Sequence, residues 1–305
     1  MESTMLRIRI HGRGGQGVKT ASQVLGSAGF LSGYQAQDFP LYGAERRGAP
    51  IVAYTRLSPE PILERGPIAR PDLVLVGDET LLQDPLAAPL GGADESTALF
   101  INSIHGAEDL KAHFHLPVLP VAFDLTDICA RHIKRGTVLS SALAAVGARM
   151  SGIVEMDTLL TAVRMELSDL GVGEEMIAKN LDLAREVYAK APSAVFKPKK
   201  REPLSASLMA DLRQEDVANA APLILAPANM ALRKTGNWRE RRPEIDLNVC
   251  NGCWICFIRC PDGAIHMDEN DKPAIDYDHC KGCLICAEEC PSDAIKILRE
   301  VTSWA

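Results

Sequence analysis

Long hydrophobic runs and an excess of basic side chains are both missing from this sequence. No window approaches the 18 uninterrupted apolar residues of a membrane helix, so a membrane protein is not expected. The first residues also lack the apolar core and cleavage site of a signal peptide, and we therefore expect a cytoplasmic protein. A net charge of −7 without a basic patch argues against a nucleic-acid partner.

Cysteine is scarce outside one short segment. Eight of the nine cysteines lie between Cys250 and Cys290, whereas Cys129 stands alone and is predicted to be a buried structural thiol. Because thiols stay reduced in the cytoplasm, such crowding indicates metal ligation and not disulfides. The same segment is acidic: from Glu244 to the end there are 12 acidic and 5 basic side chains, a net charge of −7.

The first part of the chain has the pattern of an α/β domain. Apolar runs typical of buried strands occur at residues 6–10, 50–57, 72–77, 99–102 and 117–123, separated by helical stretches. Such alternation predicts a mainly parallel sheet. Two amphipathic helices follow, at residues 156–170 and 177–188. We expect three parts: an α/β domain over 1–191, an extended connector docking on partner chains over 192–243, and a small α+β unit over 244–305.

The last part contains an internal repeat with cluster-binding spacing. The pattern C-x2-C-x2-C-x3-C-P occurs twice, and the second copy starts thirty positions after the first. Four thiolates hold one [4Fe–4S] cluster, and in two-cluster ferredoxins the fourth cysteine of each run ligates the other cluster. The predicted ligands are Cys250, Cys253, Cys256 and Cys290 for cluster one, and Cys280, Cys283, Cys286 and Cys260 for cluster two. A pair of zinc sites is the alternative, but structural zinc joins two knuckles across a longer gap.

A glycine-rich loop follows the first predicted strand. Gly12, Gly14 and Gly17, with Gly15 between them, match G-x-G-x-x-G before a helix, and Asp38 lies about twenty residues on, as in dinucleotide-binding loops. The loop's N–H groups could hold an anion, with Arg13 and Lys19 facing a phosphate. A purely structural glycine turn is the alternative.

Several segments carry a family resemblance. Residues 246–298 resemble the bacterial two-cluster ferredoxins. The gamma subunit of 2-oxoacid:ferredoxin oxidoreductases is closely resembled by GRGGQGVKTA (12–21), DFPLYGAERRG (38–48), PIVAYTR (50–56) and PDLVLVGDETLL (71–82). The segment GNWRERRPEID (236–246) is similar to the delta subunit of the same family. The chain is thus identified as a fused gamma/delta subunit, with a gamma-type domain, a connector and a ferredoxin-like domain.

This resemblance implies a division of labour between chains. Thiamine diphosphate and Mg²⁺ would sit on separate alpha and beta subunits, which decarboxylate the substrate, and this chain would pass electrons to an external ferredoxin. The glycine loop would not bind NAD. Coenzyme A is a further ligand of some complexes in the family. The cluster Glu45, Arg46 and Arg47 would contact partner subunits or the edge of the active site. A dimer of the heterotrimer is the expected assembly, with pyruvate or oxalate as substrate.

Two other functions remain open at this point. The first is an NAD(P)-linked iron–sulfur electron-transfer subunit, in which residues 12–17 bind a dinucleotide. The second is a free-standing ferredoxin-like carrier with a structural N-terminal domain. NADH binding would favour the first, and a monomer active without partner chains would favour the second.

Overall fold

A central strand with two different faces organises the N-terminal domain. The computed structural model describes residues 5–40, 48–84, 87–133, 138–193 and 234–300. Within them the first sheet has six strands: β1 (Leu6–Arg13), β2 (Gln35–Pro40), β3 (Pro50–Ser58), β4 (Leu73–Val76), β5 (Ala98–Asn102) and β6 (Val121–Phe123). Alternate residues of β1 point to opposite faces. Leu6, Ile8 and Ile10 belong to the main hydrophobic core.

The strand order is β2-β3-β1-β4-β5-β6. β1, β4, β5 and β6 pair in parallel, whereas β3 is antiparallel to both of its neighbours. The predicted mainly parallel α/β domain is therefore confirmed. No sequence pattern indicated β2, because its residues are exposed or half-buried and include polar Gln35, Gln37 and Asp38.

Helices cover both faces of this sheet. They are α1 (Val18–Leu31), α2 (Ala107–Phe114), α3 (Leu125–His132), α4 (Ser140–Ser151), α5 (Met156–Asp169) and α6 (Glu174–Lys190). All except α2 pack in the main core, whereas Leu110 of α2 packs with Val74 and Val76 in a second core on the opposite face. α1 and α4 pack together, and α5 and α6 pack on them. The predicted apolar face of α5 is buried at Leu159, Val163 and Leu167, but Leu170 is 58% exposed beyond the end of the helix. No helix in the described ranges is long and apolar enough to cross a bilayer.

The small C-terminal unit consists of two similar halves. Its strands are β7 (Arg241–Ile245), β8 (Ile265–Met267), β9 (Pro273–Ile275) and β10 (Ile295–Arg299), and its helices are α7 (Ile255–Arg259) and α8 (Ile285–Glu288). β7 pairs with β10 and β8 with β9, both antiparallel. Because β10 comes from the second repeat and β7 precedes the first, this pairing joins the two ends of the C-terminal unit. The predicted ferredoxin-like region at this end is confirmed as a small α+β unit.

Two groups of residues on which predictions were made lie wholly or partly outside the residues that the structure describes. Glu45, Arg46 and Arg47 lie outside them, as do residues 194–233 of the predicted connector. Residues 234–243, also assigned to the connector, form a short 3₁₀ helix (Gly236–Trp238) and the start of β7. The folded C-terminal unit therefore begins before residue 244.

Candidate iron–sulfur centres

The two cysteine loops have the same backbone conformation. Trp254 and Leu284 occupy equivalent positions in the left-handed region, with φ of 62° and 65°, and each directly precedes a short helix. Non-glycine residues adopt this conformation rarely. In both loops it turns the chain sharply between the second and third cysteines, so that three cysteines wrap around one space.

Two cavities in the C-terminal unit are each lined by four cysteines. One is lined by Cys250, Cys253, Cys256 and Cys290. The other is lined by Cys280, Cys283, Cys286 and Cys260. The fourth cysteine of each run thus lies with the first three of the other run, which is the grouping that the sequence predicted for two clusters.

The walls of both cavities suit an iron–sulfur cluster. Proline and isoleucine side chains, including Ile245 and Ile275, complete the linings and restrict water. The sulfurs of Cys260 and Cys290 accept backbone N–H bonds from Ala264 and Ala294, each 3.3 Å long. Four thiols with N–H donors in a dry pocket are the donor set of a [4Fe–4S] cluster. The described residues contain no group of three His, Cys, Asp or Glu side chains arranged for a single metal ion.

Burial keeps most of the central thiols protonated without a metal. Burial, and then the neighbouring thiols of Cys280 and Cys283, raise the pKa of Cys286 to about 12. Burial also raises the pKa of Cys256. At Cys290 burial acts in the same direction, but hydrogen bonds from Ser292 and from backbone N–H groups outweigh it and the pKa is lowered. Cluster assembly must therefore release protons from the buried thiols.

Arg239 joins the segment before β7 to the second cysteine loop. Its guanidinium donates to the carbonyls of Tyr277 at 2.6 Å and Cys280 at 2.9 Å, and it forms an ion pair with Glu300 at 2.7 Å. The chain is tightly packed here, because a Cβ at Gly282 would collide with the carbonyl oxygen of Arg241. No sequence pattern indicated these contacts of Arg239.

The same segment contacts the N-terminal domain. The backbone of Trp238 lies so close to Gly48 that a Cβ there would collide with its carbonyl oxygen. Asn237 donates to Asp84 at 2.6 Å, and Arg299 pairs with Asp124 at 2.6 Å. A cavity of about 400 Å³ lies between the two units, at the carboxyl ends of β4 and β5.

The glycine loop is held by contacts within its own domain. Gly17, with φ of 79°, precedes α1, and a Cβ there would lie 2.9 Å from the Cβ of Ser140. Gly14 exchanges backbone hydrogen bonds with Gly48 and Ala49, of 3.0 and 2.8 Å. These contacts give the glycines a structural role, and anion binding by Gly12, Gly14, Gly15 and Gly17 stays a prediction.

Arg13 does not face an open phosphate site. Its side chain is fully buried, forms an ion pair with Asp78 at 2.8 Å and also donates to Thr80. Lys19 on α1 is exposed. Sequence reasoning missed Asp78, although an aspartate directly after a buried strand and before Thr80 is typical of the N-cap that it forms.

Comparison with known proteins agrees with both halves of this description. Residues 7–190 match the family described as pyruvate ferredoxin/flavodoxin oxidoreductase, and residues 249–294 match a 4Fe–4S dicluster domain. Pyruvate synthase subunit PorC of Methanothermobacter marburgensis is 35% identical over 186 residues, which is 61% of this chain and 97% of that protein. The pyruvate/ketoisovalerate oxidoreductases common subunit gamma of Pyrococcus furiosus is also 35% identical over 186 residues, with the same coverage.

A solved structure has the same N-terminal fold. The crystal structure of pyruvate oxidoreductase subunit PORC from Thermotoga maritima is 32% identical, with a TM-score of 0.52, and the match covers 61% of this chain and 96% of that one. The matched family domain spans more than half of the chain. This protein therefore belongs to the pyruvate ferredoxin/flavodoxin oxidoreductase family and joins its gamma-subunit domain to a 4Fe–4S dicluster domain.

Proposed function

We propose that this chain is the electron-transfer subunit, gamma and delta fused, of a thiamine-diphosphate-dependent 2-oxoacid:ferredoxin oxidoreductase. The observation that carries the proposal is the pair of cavities, each lined by four cysteines drawn from both repeats, on a chain with a gamma-subunit domain. Bound there, two [4Fe–4S] clusters would supply one-electron carriers for a reaction that releases two electrons.

Each part of the C-terminal unit has a task in this function. Cys250, Cys253, Cys256 and Cys290 hold one cluster, and Cys280, Cys283, Cys286 and Cys260 hold the other. The N–H groups of Ala264 and Ala294 bond to ligand sulfurs and stabilise their negative charge. The isoleucines of the shared core, Ile265 and Ile295, exclude water between the two sites.

The catalytic groups belong to other chains in this proposal. Alpha and beta subunits carry thiamine diphosphate and Mg²⁺ and decarboxylate the acid, and an external ferredoxin takes the electrons. The names of the relatives support several chains, since they are called subunits of pyruvate synthase or of pyruvate and ketoisovalerate oxidoreductases. A dimer of the heterotrimer, with residues 1–191 as the gamma-type domain, is the assembly we propose.

Pyruvate is the substrate that the relatives' names favour, and oxalate is the second candidate because of the fused gamma/delta arrangement. The test is to purify the native complex and measure methyl viologen reduction with pyruvate, 2-oxoglutarate, branched 2-oxoacids and oxalate, with and without coenzyme A. We expect reduction with one of these acids and co-purification of two thiamine-dependent chains. Activity of the isolated chain as a monomer, or tight NADH binding, would contradict the proposal.

A further inference from the structure

The near-symmetry of the two cluster cavities makes their differences easy to identify. Equivalent positions are thirty residues apart, and the same cysteine, proline and isoleucine positions line both cavities. Two equivalent positions differ in charge: Lys281 lines one cavity where Asn251 lines the other, and Asp262 corresponds to Ser292. The cavity around Cys283 therefore carries charged groups, whereas the cavity around Cys253 is lined by uncharged side chains and thiols.

Lys281 is half of this difference. Its ammonium is 2.6 Å from a carboxylate oxygen of Asp262 and 5.5 Å from the ring centre of Trp238, and its side chain is 18% exposed. The equivalent Asn251 is neutral, and its side-chain oxygen accepts the N–H of Cys253 at 3.2 Å. Because an ammonium accepts no hydrogen bond, the side chain of Lys281 cannot accept the equivalent N–H of Cys283.

Arg239 supplies a second cation on the same side. Its side chain is 8% exposed, and its Nη1 donates to the carbonyl of the cluster ligand Cys280. The position thirty residues later is Glu269, which is exposed and has the opposite charge. A buried guanidinium is thus fixed against one ligand loop, and the equivalent position of the other half holds no cation.

The carboxylates that pair with these cations do not cancel them equally. Glu300 contacts Nε and Nη2 of Arg239, whereas Nη1 donates to the carbonyl of Cys280, so the guanidinium lies between its carboxylate and the ligand loop. Asp262 lines the cavity together with Lys281 and offsets part of its charge. The larger effect therefore belongs to Arg239 and the smaller one to Lys281.

We infer that Arg239, assisted by Lys281, raises the reduction potential of the cluster held by Cys280, Cys283, Cys286 and Cys260 above that of the other cluster. The inference rests on the proposed function, since it requires both clusters. A reduced cluster carries one more negative charge than the oxidised one, and a nearby buried cation favours it. The electron therefore resides preferentially on the cluster beside Trp238.

The test is a redox titration of the full chain, followed by electron paramagnetic resonance, on preparations with verified iron content. We expect two separate midpoint potentials in the parent protein. Arg239→Gln lowers the higher potential and leaves the lower one in place, whereas Arg239→Lys retains most of the separation. Lys281→Asn lowers the higher potential by a smaller step, and the reciprocal Asn251→Lys raises the lower one.

The outcomes distinguish this inference from the function on which it rests. A protein with about eight iron atoms per chain whose higher potential is unchanged in Arg239→Gln and Lys281→Asn overturns the inference and leaves the proposed function standing. Equal midpoint potentials for the two clusters of the parent protein also overturn the inference and leave the proposed function standing. A reconstituted chain that holds no clusters overturns both. If Arg239→Gln does not fold, the potentials of Lys281→Asn and Asn251→Lys test the inference instead, because neither side chain contacts the N-terminal domain in the described residues.

Discussion

Cys290 lines the same cavity as Cys250, although the two belong to different halves of the repeat. The exchange is reciprocal, since Cys260 lines the cavity of Cys280. The strands follow the same rule: β10 of the second half pairs with β7, which precedes the first, with Ile295 opposite Ile245. Neither half can complete a cavity alone, so each group of four cysteines assembles only when the whole unit folds.

Iron counting with double variants tests the crossed ligation. A reconstituted chain holds about eight iron atoms, and losing one cluster leaves about four. Cys260→Ala and Cys280→Ala remove ligands of the same cluster, so the double variant retains as much iron as either single variant. Cys260→Ala with Cys250→Ala removes ligands of both and leaves almost none. Iron and sulfide analysis gives the readout.

Cys129→Ala is the matched control for these variants. Cys129 is fully buried in the core of the N-terminal domain, and burial raises its pKa to about 12. Its removal leaves the iron content unchanged. If instead Cys260→Ala with Cys250→Ala keeps half of the iron, each run of four binds its own cluster and the crossed assignment is wrong.

Gly17 and Gly33 form a pair of variants that separates backbone conformation from packing. Both have a positive φ, of 79° and 89°, but a Cβ at Gly33 meets nothing within 4 Å, whereas one at Gly17 approaches Ser140. Gly33→Ala costs about 1–2 kcal/mol because of its left-handed backbone. Gly17→Ala costs about 1–3 kcal/mol more because Ser140 must move. Thermal denaturation followed by circular dichroism measures the difference.

A fluorescence titration with NADH completes this comparison. If the loop is structural, NADH does not bind to the parent protein or to the Gly17→Ala variant. Saturable binding that Gly17→Ala abolishes and Gly33→Ala retains would instead make the loop a dinucleotide site.

Sequence patterns predicted the features that depend on periodicity and spacing, and missed those that depend on tertiary contacts. Cysteine spacing predicted the two groups of four cysteines that line the cavities, because metal chemistry fixes the separation of thiolates. Strand β2 could not be predicted from its own residues, because pairing with β3 and not its side chains determines its conformation. Arg13 looked like a phosphate ligand beside a glycine loop, but Asp78 on a distant strand end takes its charge. The contacts of Arg239 join residues far apart in sequence, which no local pattern shows.

The ion pair of buried Arg13 with Asp78, whose side chain is 14% exposed, fixes the end of β1 against the end of β4. Arg13→Met leaves Asp78 without its cation and lowers the free energy of unfolding by about 1–3 kcal/mol. Arg164→Met is the matched control. It breaks an exposed pair with Glu174, whose side chains are 51% and 76% exposed, and costs less than about 1 kcal/mol.

A double variant separates the loss of the pair from the loss of packing. Asp78→Asn keeps the acceptor oxygen that caps the following turn, so Arg13→Met with Asp78→Asn is more stable than Arg13→Met alone. Denaturant unfolding of the three variants gives the coupling. If Arg13→Met and the double variant were equally stable, the uncompensated charge of Asp78 would not be what destabilises Arg13→Met.

His11 gives the N-terminal domain a specific sensitivity to acid. It is 4% exposed, and its Nε2 makes no hydrogen bond with the described residues. Burial, and then the charge of Arg9, lowers the pKa of His11 to about 3, from an ordinary value of 6.5. Between these two values the unfolded chain binds a proton at His11 that the folded chain does not. The contribution of neutral His11 to the free energy of unfolding is therefore fully present above pH 6.5 and is lost as the pH drops towards 3.

The contribution of this one group is about 1.4 kcal/mol per pH unit within that window. Carboxylates titrate in the same range, so the measurement is a difference between variants. Denaturant unfolding from pH 7 to pH 4 should show a steeper loss in the parent protein than in His11→Gln, whose side chain binds no proton. His113→Gln, at an exposed position on α2, should keep the parent slope. Parallel curves for the parent and His11→Gln would mean that His11 is not held neutral in the folded protein.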